Sequence, residues 1–195
     1  MITRGAPNFQ IGDVEMSAIQ ILLLIAVTVT CAAAVFDYRT GLIPNQLTYP
    51  LVLVGALAHI VLAAVSYGRG HFGWVLLETV AGALSCGLVP LLLWRSNAMG
   101  GGDVKLLTGL GALLGPALGL RVELYAFMTA VVIAPIVLTH RGVLLLTLKR
   151  SLQVLIRPFQ RAKDRVPSVA EAVTELRFGP AICAAMAIVA VLEWR

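Results

Sequence analysis

Long apolar runs separated by short polar stretches dominate the pattern of this chain. The runs cover about Ala18 to Phe36, Leu47 to Val65, Trp74 to Trp94, Val104 to Leu120 and Leu124 to Leu138. A last one opens at Phe178-Gly179-Pro180 and ends around Glu193-Trp194. Each is near the roughly 20 residues that a helix needs to cross a bilayer. In hydrocarbon the backbone must satisfy its own N–H and C=O groups, which an α-helix does. The pattern therefore predicts an all-α, polytopic membrane helix bundle of about six transmembrane helices. Trp74 and Trp94 bracket the third run, where interfacial aromatics belong.

The polar segments differ among themselves. Residues 1–16 are mixed, without a strong period, and read as a short, poorly ordered lead. Ser66 to Gly73 reads as a glycine-rich turn, and Arg95 to Asp103 as a glycine-rich loop. Residues 142–156 intersperse Lys149, Arg150 and Gln153 among leucines and valines, the pattern of an amphipathic helix lying on a membrane surface. That helix falls in a basic loop, residues 141–177, which Pro158 and Pro167 punctuate. No internal repeat is evident, and one integral-membrane domain is expected over residues 1–195.

Composition agrees: 59% of residues are hydrophobic and 13% charged, against roughly half and a quarter in soluble domains. The formal net charge of +5 bears first on orientation, and no nucleic-acid partner is expected. Of the 15 lysines and arginines, only Arg4, Arg69, Arg121 and Arg195 fall outside the loops that follow spans one, three and five. The positive-inside rule places the other set in the cytoplasm, and Asp37 and Asp103 go with it.

Candidate chemistry centres on Met99-Gly100-Gly101-Gly102-Asp103-Val104-Lys105. It sets a carboxylate at the edge of a span, beside backbone free to bend or to approach another chain closely. Asp37, at the end of the first span, is a second such carboxylate. The chain's other aspartates, Asp13 and Asp164, lie in polar segments and read as solvated charges. Two carboxylates held close do not both ionise easily, so they share a proton. The ionised partner can take a proton from water while the protonated one polarises a peptide carbonyl. Such a pair hydrolyses peptides with no metal, cofactor or serine.

Rival chemistries find little support. Cys31, Cys86 and Cys183 form no CxxC pair and read as small core residues, so no metal is expected. His59, His71 and His140 show no HExxH spacing and read as interfacial or packing residues. There is no GxSxG elbow, and the glycine run lacks the GK[ST] of a phosphate-binding loop. Lys105 has two readings: it favours an ionised Asp103, or it snorkels towards headgroups. Gly111, Gly115 and Gly119 recur every four residues, a face for close helix packing. A transporter or proton channel would need its carboxylates nearer mid-span, and a non-catalytic scaffold would not need them at all.

The residues together resemble a known family. Gly100-Gly101-Gly102-Asp103-Val104-Lys105 looks like the GxGD motif, with its following apolar residue and lysine, of the type IV prepilin peptidases. Asp37, six residues before Ile43-Pro44-Asn45, resembles that family's second signature, and Phe178-Gly179-Pro180-Ala181 resembles the glycine-proline element opening its last span. The resemblance implies a membrane aspartyl protease with Asp37 and Asp103 as catalytic pair and Gly100, Gly102, Lys105, Pro44, Asn45, Gly179 and Pro180 in support. It implies a place in the bacterial inner membrane, with prepilin or pseudopilin substrates cut on the cytoplasmic side after a short basic leader. The paired CxxC motifs of the methylating members are missing, which points to the peptidase-only type, similar to those of tight-adherence (Flp-type) pili. A presenilin-like GxGD protease is the alternative within the enzyme class, though the Ile-Pro-Asn turn after Asp37 favours the prepilin type.

Overall fold

The computed structural model describes residues 11–66, 72–96, 98–140 and 177–194. These form five helices: α1 (Ile11–Thr40), α2 (Asn45–Ser66), α3 (Phe72–Arg95), α4 (Gly101–His140) and α5 (Gly179–Glu193). The all-α class is as the apolar runs predict. By length and composition, three helical stretches are long and apolar enough to cross a membrane: Ala18–Thr40, Leu76–Arg95 and Gly101–Ile136. Asn45–Val61 and Gly179–Glu193 are shorter apolar helices. Helix lengths are thus less uniform than the six similar spans expected, and α4 is itself two segments joined at Gly115. The surface helix expected at 142–156, and residues 141–176 as a whole, lie outside the described residues.

Two boundaries differ for physical reasons. First, α1 begins at Ile11, inside what the sequence suggests is an unstructured lead. Hydrophobicity marks only the part of a helix that sits in hydrocarbon. The helix therefore starts well ahead of its apolar run. Second, the turn expected near residues 121–123 falls at Gly115 instead. There the backbone takes φ 75°, ψ 175°, a region essentially reserved for glycine. Pro116 follows, with no N–H to offer the preceding turn.

The break reverses the chain. A Cβ placed on Gly119 would lie 2.9 Å from the Gly111 Cα, whereas residues eight apart in an unbroken helix are about 12 Å apart. The two arms of α4 therefore pack against each other. Gly111 and Gly119 do serve close packing, but on facing arms, and Gly115 is the hinge between them rather than a member of their stripe. Gly82 of α3 joins the same contact: a Cβ there would lie 2.1 Å from the Gly111 carbonyl oxygen. Cys86 fills the remaining space beside Gly111 and Gly119.

The first arm of α4 is the centre of the bundle, with Leu106, Leu107, Leu110, Ala112, Leu113 and Leu114 all buried. Around it α1 contributes a buried stripe at Leu23, Ala26, Thr30 and Ala33, and α5 another at Ile182, Ala185, Met186 and Val189. Both stripes keep the three-and-four spacing of a single helix face. Cys31 and Cys183 are free thiols whose sulfurs touch across α1 and α5 at 3.3 Å. His59 is neither interfacial nor merely packed. Its Nε2–H donates to the Leu113 carbonyl, 3.0 Å away beside the break. Its Nδ1 accepts from the Thr79 hydroxyl at 3.1 Å, a tautomer assigned from these partners. The ring thus ties α2, α3 and α4 together where the backbone ladder of α4 is interrupted.

Candidate active site

Asp37 continues the buried stripe of α1: Leu23, Ala26, Thr30, Ala33 and Asp37 follow one another at steps of three or four. Its side chain therefore faces the bundle and is only 6% exposed. The first N–H groups of a helix have no partner inside that helix. The first of α5, on Gly179, donates to Asp37 Oδ2 at 2.9 Å. Pro180 next to it has no N–H to leave unsatisfied. Approach this close requires glycine, because a Cβ on Gly179 would stand 2.8 Å from Asp37 Oδ2 and 2.9 Å from Asp37 Cβ. Phe178 fixes the entry of α5. Its carbonyl accepts the N–H groups of Ala181 and Ile182, and its ring packs on Phe127 with centroids 5.6 Å apart.

Asp103 is placed by the opposite helix. Gly100 precedes the first residue of α4, and Asp103 sits in its first turn, where a carboxylate meets the helix's positive end. Gly100 lies against the Asp103 carboxylate, where a Cβ would stand 3.0 Å from Oδ2. The residue is 8% exposed, and its Oδ1 is buried with no hydrogen-bond partner among the described residues. Asp37 and Asp103 are near enough for their charges to act on each other.

The Ile43-Pro44-Asn45 turn joins the two. Ile43 packs against Gly102, where a Cβ would lie 3.0 Å from the Ile43 Cβ. The Pro44 carbonyl accepts the Leu47 N–H at 3.0 Å, starting α2. Asn45 Oδ1 accepts from Lys105 Nζ at 2.8 Å, and the same ammonium lies 5.4 Å from the Tyr49 ring centroid. Lys105 thus braces the turn against the α4 start, a contact that the sequence reading did not foresee. Gly101 is close to the Trp94 indole at the end of α3. Gly100, Gly102, Asp103, Lys105, Pro44, Asn45, Gly179 and Pro180 consequently gather at one end of the bundle around Asp37. Arg39 is exposed. At the far end Arg121 and Glu193 form an ion pair.

Three features have no counterpart in the sequence analysis. Arg177 lies over the Tyr38 ring, with its guanidinium carbon 5.5 Å from the centroid. Glu123 is buried within the second arm of α4, and neither of its oxygens finds a partner among the described residues. The heptad-like stripe leading to Asp37 could have been found beforehand, by extending the small and apolar positions of α1 one step further. No three metal-ligating side chains converge among the described residues.

Comparison with known proteins bears on the same segment. The profile of the type IV leader peptidase family matches residues 23–138, more than half the chain, which takes in Asp37, the Ile-Pro-Asn turn and the Gly-rich Asp103 stretch. The prepilin peptidase EppA of Methanothermobacter thermautotrophicus is 30% identical over 100 residues, 51% of this chain and 25% of that protein. The prepilin leader peptidase/N-methyltransferase of Vibrio cholerae is 32% identical over 101 residues, 48% of this chain and 38% of that protein. The matched stretch is thus well under half the length of either relative. No solved structure matches. On the family profile, and with its signature residues gathered at one end of a helical membrane bundle, the chain belongs to the type IV leader peptidase family.

Proposed function

We propose that this protein is an aspartic endopeptidase that removes the short basic leader of type IV prepilins or pseudopilins, with Asp37 and Asp103 as its catalytic pair. The observation that carries the reading is the convergence of three separate sequence elements on two buried carboxylates. A structural role alone would not call for two acids in one apolar bundle end, since a buried charge without a partner is costly. The names of the two relatives support the substrate class. The distribution of lysine and arginine supports a cytoplasmic position for this end.

Each carboxylate has a distinct part. The Gly179 N–H anchors Asp37 Oδ2, leaving the rest of the carboxylate to meet water or substrate. Asp103 Oδ1, buried and without a hydrogen-bond partner among the described residues, is the atom left to the incoming peptide. One carboxylate, ionised, takes a proton from water as the water attacks the scissile carbonyl carbon. The other, protonated, donates to the carbonyl oxygen as negative charge develops there; on collapse it takes that proton back as the C=O re-forms, while the first passes the proton it took from water to the leaving amine. The buried setting strengthens both interactions by excluding bulk water.

Co-expression with a prepilin tests this. Wild type is expected to shorten the precursor, and Asp37→Ala and Asp103→Ala to accumulate it at full length. Normal processing by either variant, expressed and membrane-inserted, overturns the assignment of that residue.

A further inference from the structure

Tyr38 follows Asp37 in the last turn of α1, and its side chain is 71% exposed. So large an aromatic at that exposure gains little from the bundle core. What its face does meet is Arg177, 5.5 Å from the centroid, inside the roughly 6 Å range of a cation–π contact. Arg177 is two residues before Gly179, whose N–H is bonded to Asp37. The same two short segments are therefore joined twice. One joint is a buried hydrogen bond between Gly179 and Asp37. The other is a cation on an aromatic face between Arg177 and Tyr38, the residues flanking that bond.

The arrangement has a parallel on the other aspartate. Lys105, two residues after Asp103, sits over Tyr49 and also bonds Asn45. Each carboxylate thus has a cation-on-ring contact close by in sequence, and each contact links its helix to a different neighbour. A bare headgroup anchor would need Arg177 but no ring beneath it. Helix packing alone would need neither, because both residues are outside the core.

We propose that Arg177, acting through Tyr38, is a positioning residue for Asp37: it clamps the approach to α5 onto the end of α1 and so keeps the Gly179 N–H on the carboxylate. The inference rests on the peptidase reading of Asp37. It concerns how the carboxylate is aimed, so its mark is a change in kcat with KM unaltered.

The experiment is a steady-state cleavage assay with the full chain in proteoliposomes and a purified prepilin. Tyr38→Leu and Arg177→Gln are each expected to lower kcat about two- to fivefold, the range an exposed cation–π contact supports. KM stays at the wild-type value. Tyr38→Phe keeps the ring face and Arg177→Lys keeps the cation, so both are expected to restore most of the rate. The double variant Tyr38→Leu/Arg177→Gln is expected to be no slower than the worse single variant, because the two residues make one contact. Additive losses, a wild-type kcat for Tyr38→Leu, or a change confined to KM overturns the inference. Asp37→Ala in the same assay separates the two levels of the argument. If it is inactive while Tyr38→Leu is normal, only the clamp is lost; if it still cleaves, the peptidase reading and the clamp fall together.

Discussion

Replacing Gly179 by alanine puts a single methyl group where the site has no room for one. The new carbon would stand 2.8 Å from Asp37 Oδ2, 2.9 Å from its Cβ and 3.2 Å from its Cγ, against about 3.5–4.0 Å for unstrained carbon contacts. None of these atoms is the far end of a flexible side chain, because Asp37 is short and buried. The carboxylate must retreat by about 0.5–1 Å to reach ordinary contact, and the 2.9 Å bond from the Gly179 N–H stretches beyond useful length. A displacement of this size at a reacting group costs up to about 100-fold in rate. Overpacking itself costs about 1–3 kcal/mol. Gly179→Ala is therefore expected to lower kcat by about 10- to 100-fold and to lower the Tm modestly. Initial rates of prepilin cleavage at matched protein levels, with thermal unfolding in detergent, measure both. Gly73→Ala is the control, since a Cβ there meets nothing within 4 Å among the described residues, and it is expected to behave as wild type. A folded Gly179→Ala that cleaves within about twofold of wild type would refute the account of how Asp37 is held.

Other consequences follow from the same geometry. Gly115→Ala forces a side chain into φ 75°, ψ 175° and is expected to destabilise by about 1–3 kcal/mol; an unchanged Tm in detergent would show that the reversal does not depend on that conformation. Lys105→Met and Asn45→Ala each remove one side of the 2.8 Å bond. Their combined loss of cleavage rate is expected to fall short of the sum by about 1 kcal/mol, and strict additivity would mean that the bond does not couple the turn to α4.

The helices were legible because the bilayer imposes a coarse rule on sequence, and that rule also explains the errors. Phe178-Gly179-Pro180 and Glu193-Trp194 mark the limits of α5, and the structure places it at Gly179–Glu193. By contrast, the gap between the run ending at Leu120 and the one opening at Leu124 lies within α4, and Arg121 there finds its partner in Glu193. The true reversal was written as Gly115-Pro116, a turn signal hidden inside a regular glycine spacing. Within the site, the two aspartates could be assigned to one end by counting loops. How they are held could not, because the contacts are remote in sequence: Lys105 and Asn45 are 60 residues apart, Gly179 and Asp37 142. Close approach of glycine to a side chain has no local pattern, and the Lys105–Asn45 contact could not be read because its two residues lie on different helices.

The doubling back of α4 also fixes the local thickness of the protein. Residues 101–114 rise about 21 Å, and the 15 residues of α5 about 22 Å. The hydrocarbon core of a bilayer is about 30 Å thick. The helices that carry Asp103 and Gly179 are each about 8 Å too short to traverse it fully. Arg121 and Glu193 mark their other end as an interface, since a charged pair belongs there rather than in lipid. The shortfall therefore gathers at the aspartates, where Leu42 stands 74% exposed in a position suited to acyl chains. Lipid around a short belt of protein thins or dips to meet it. In a bilayer the carboxylates would then lie in a shallow well beneath the level of the surrounding headgroups. On the peptidase reading proposed above, a peptide bond at the end of a substrate's own membrane helix would reach them by sliding sideways, at its natural depth, instead of being drawn out into water.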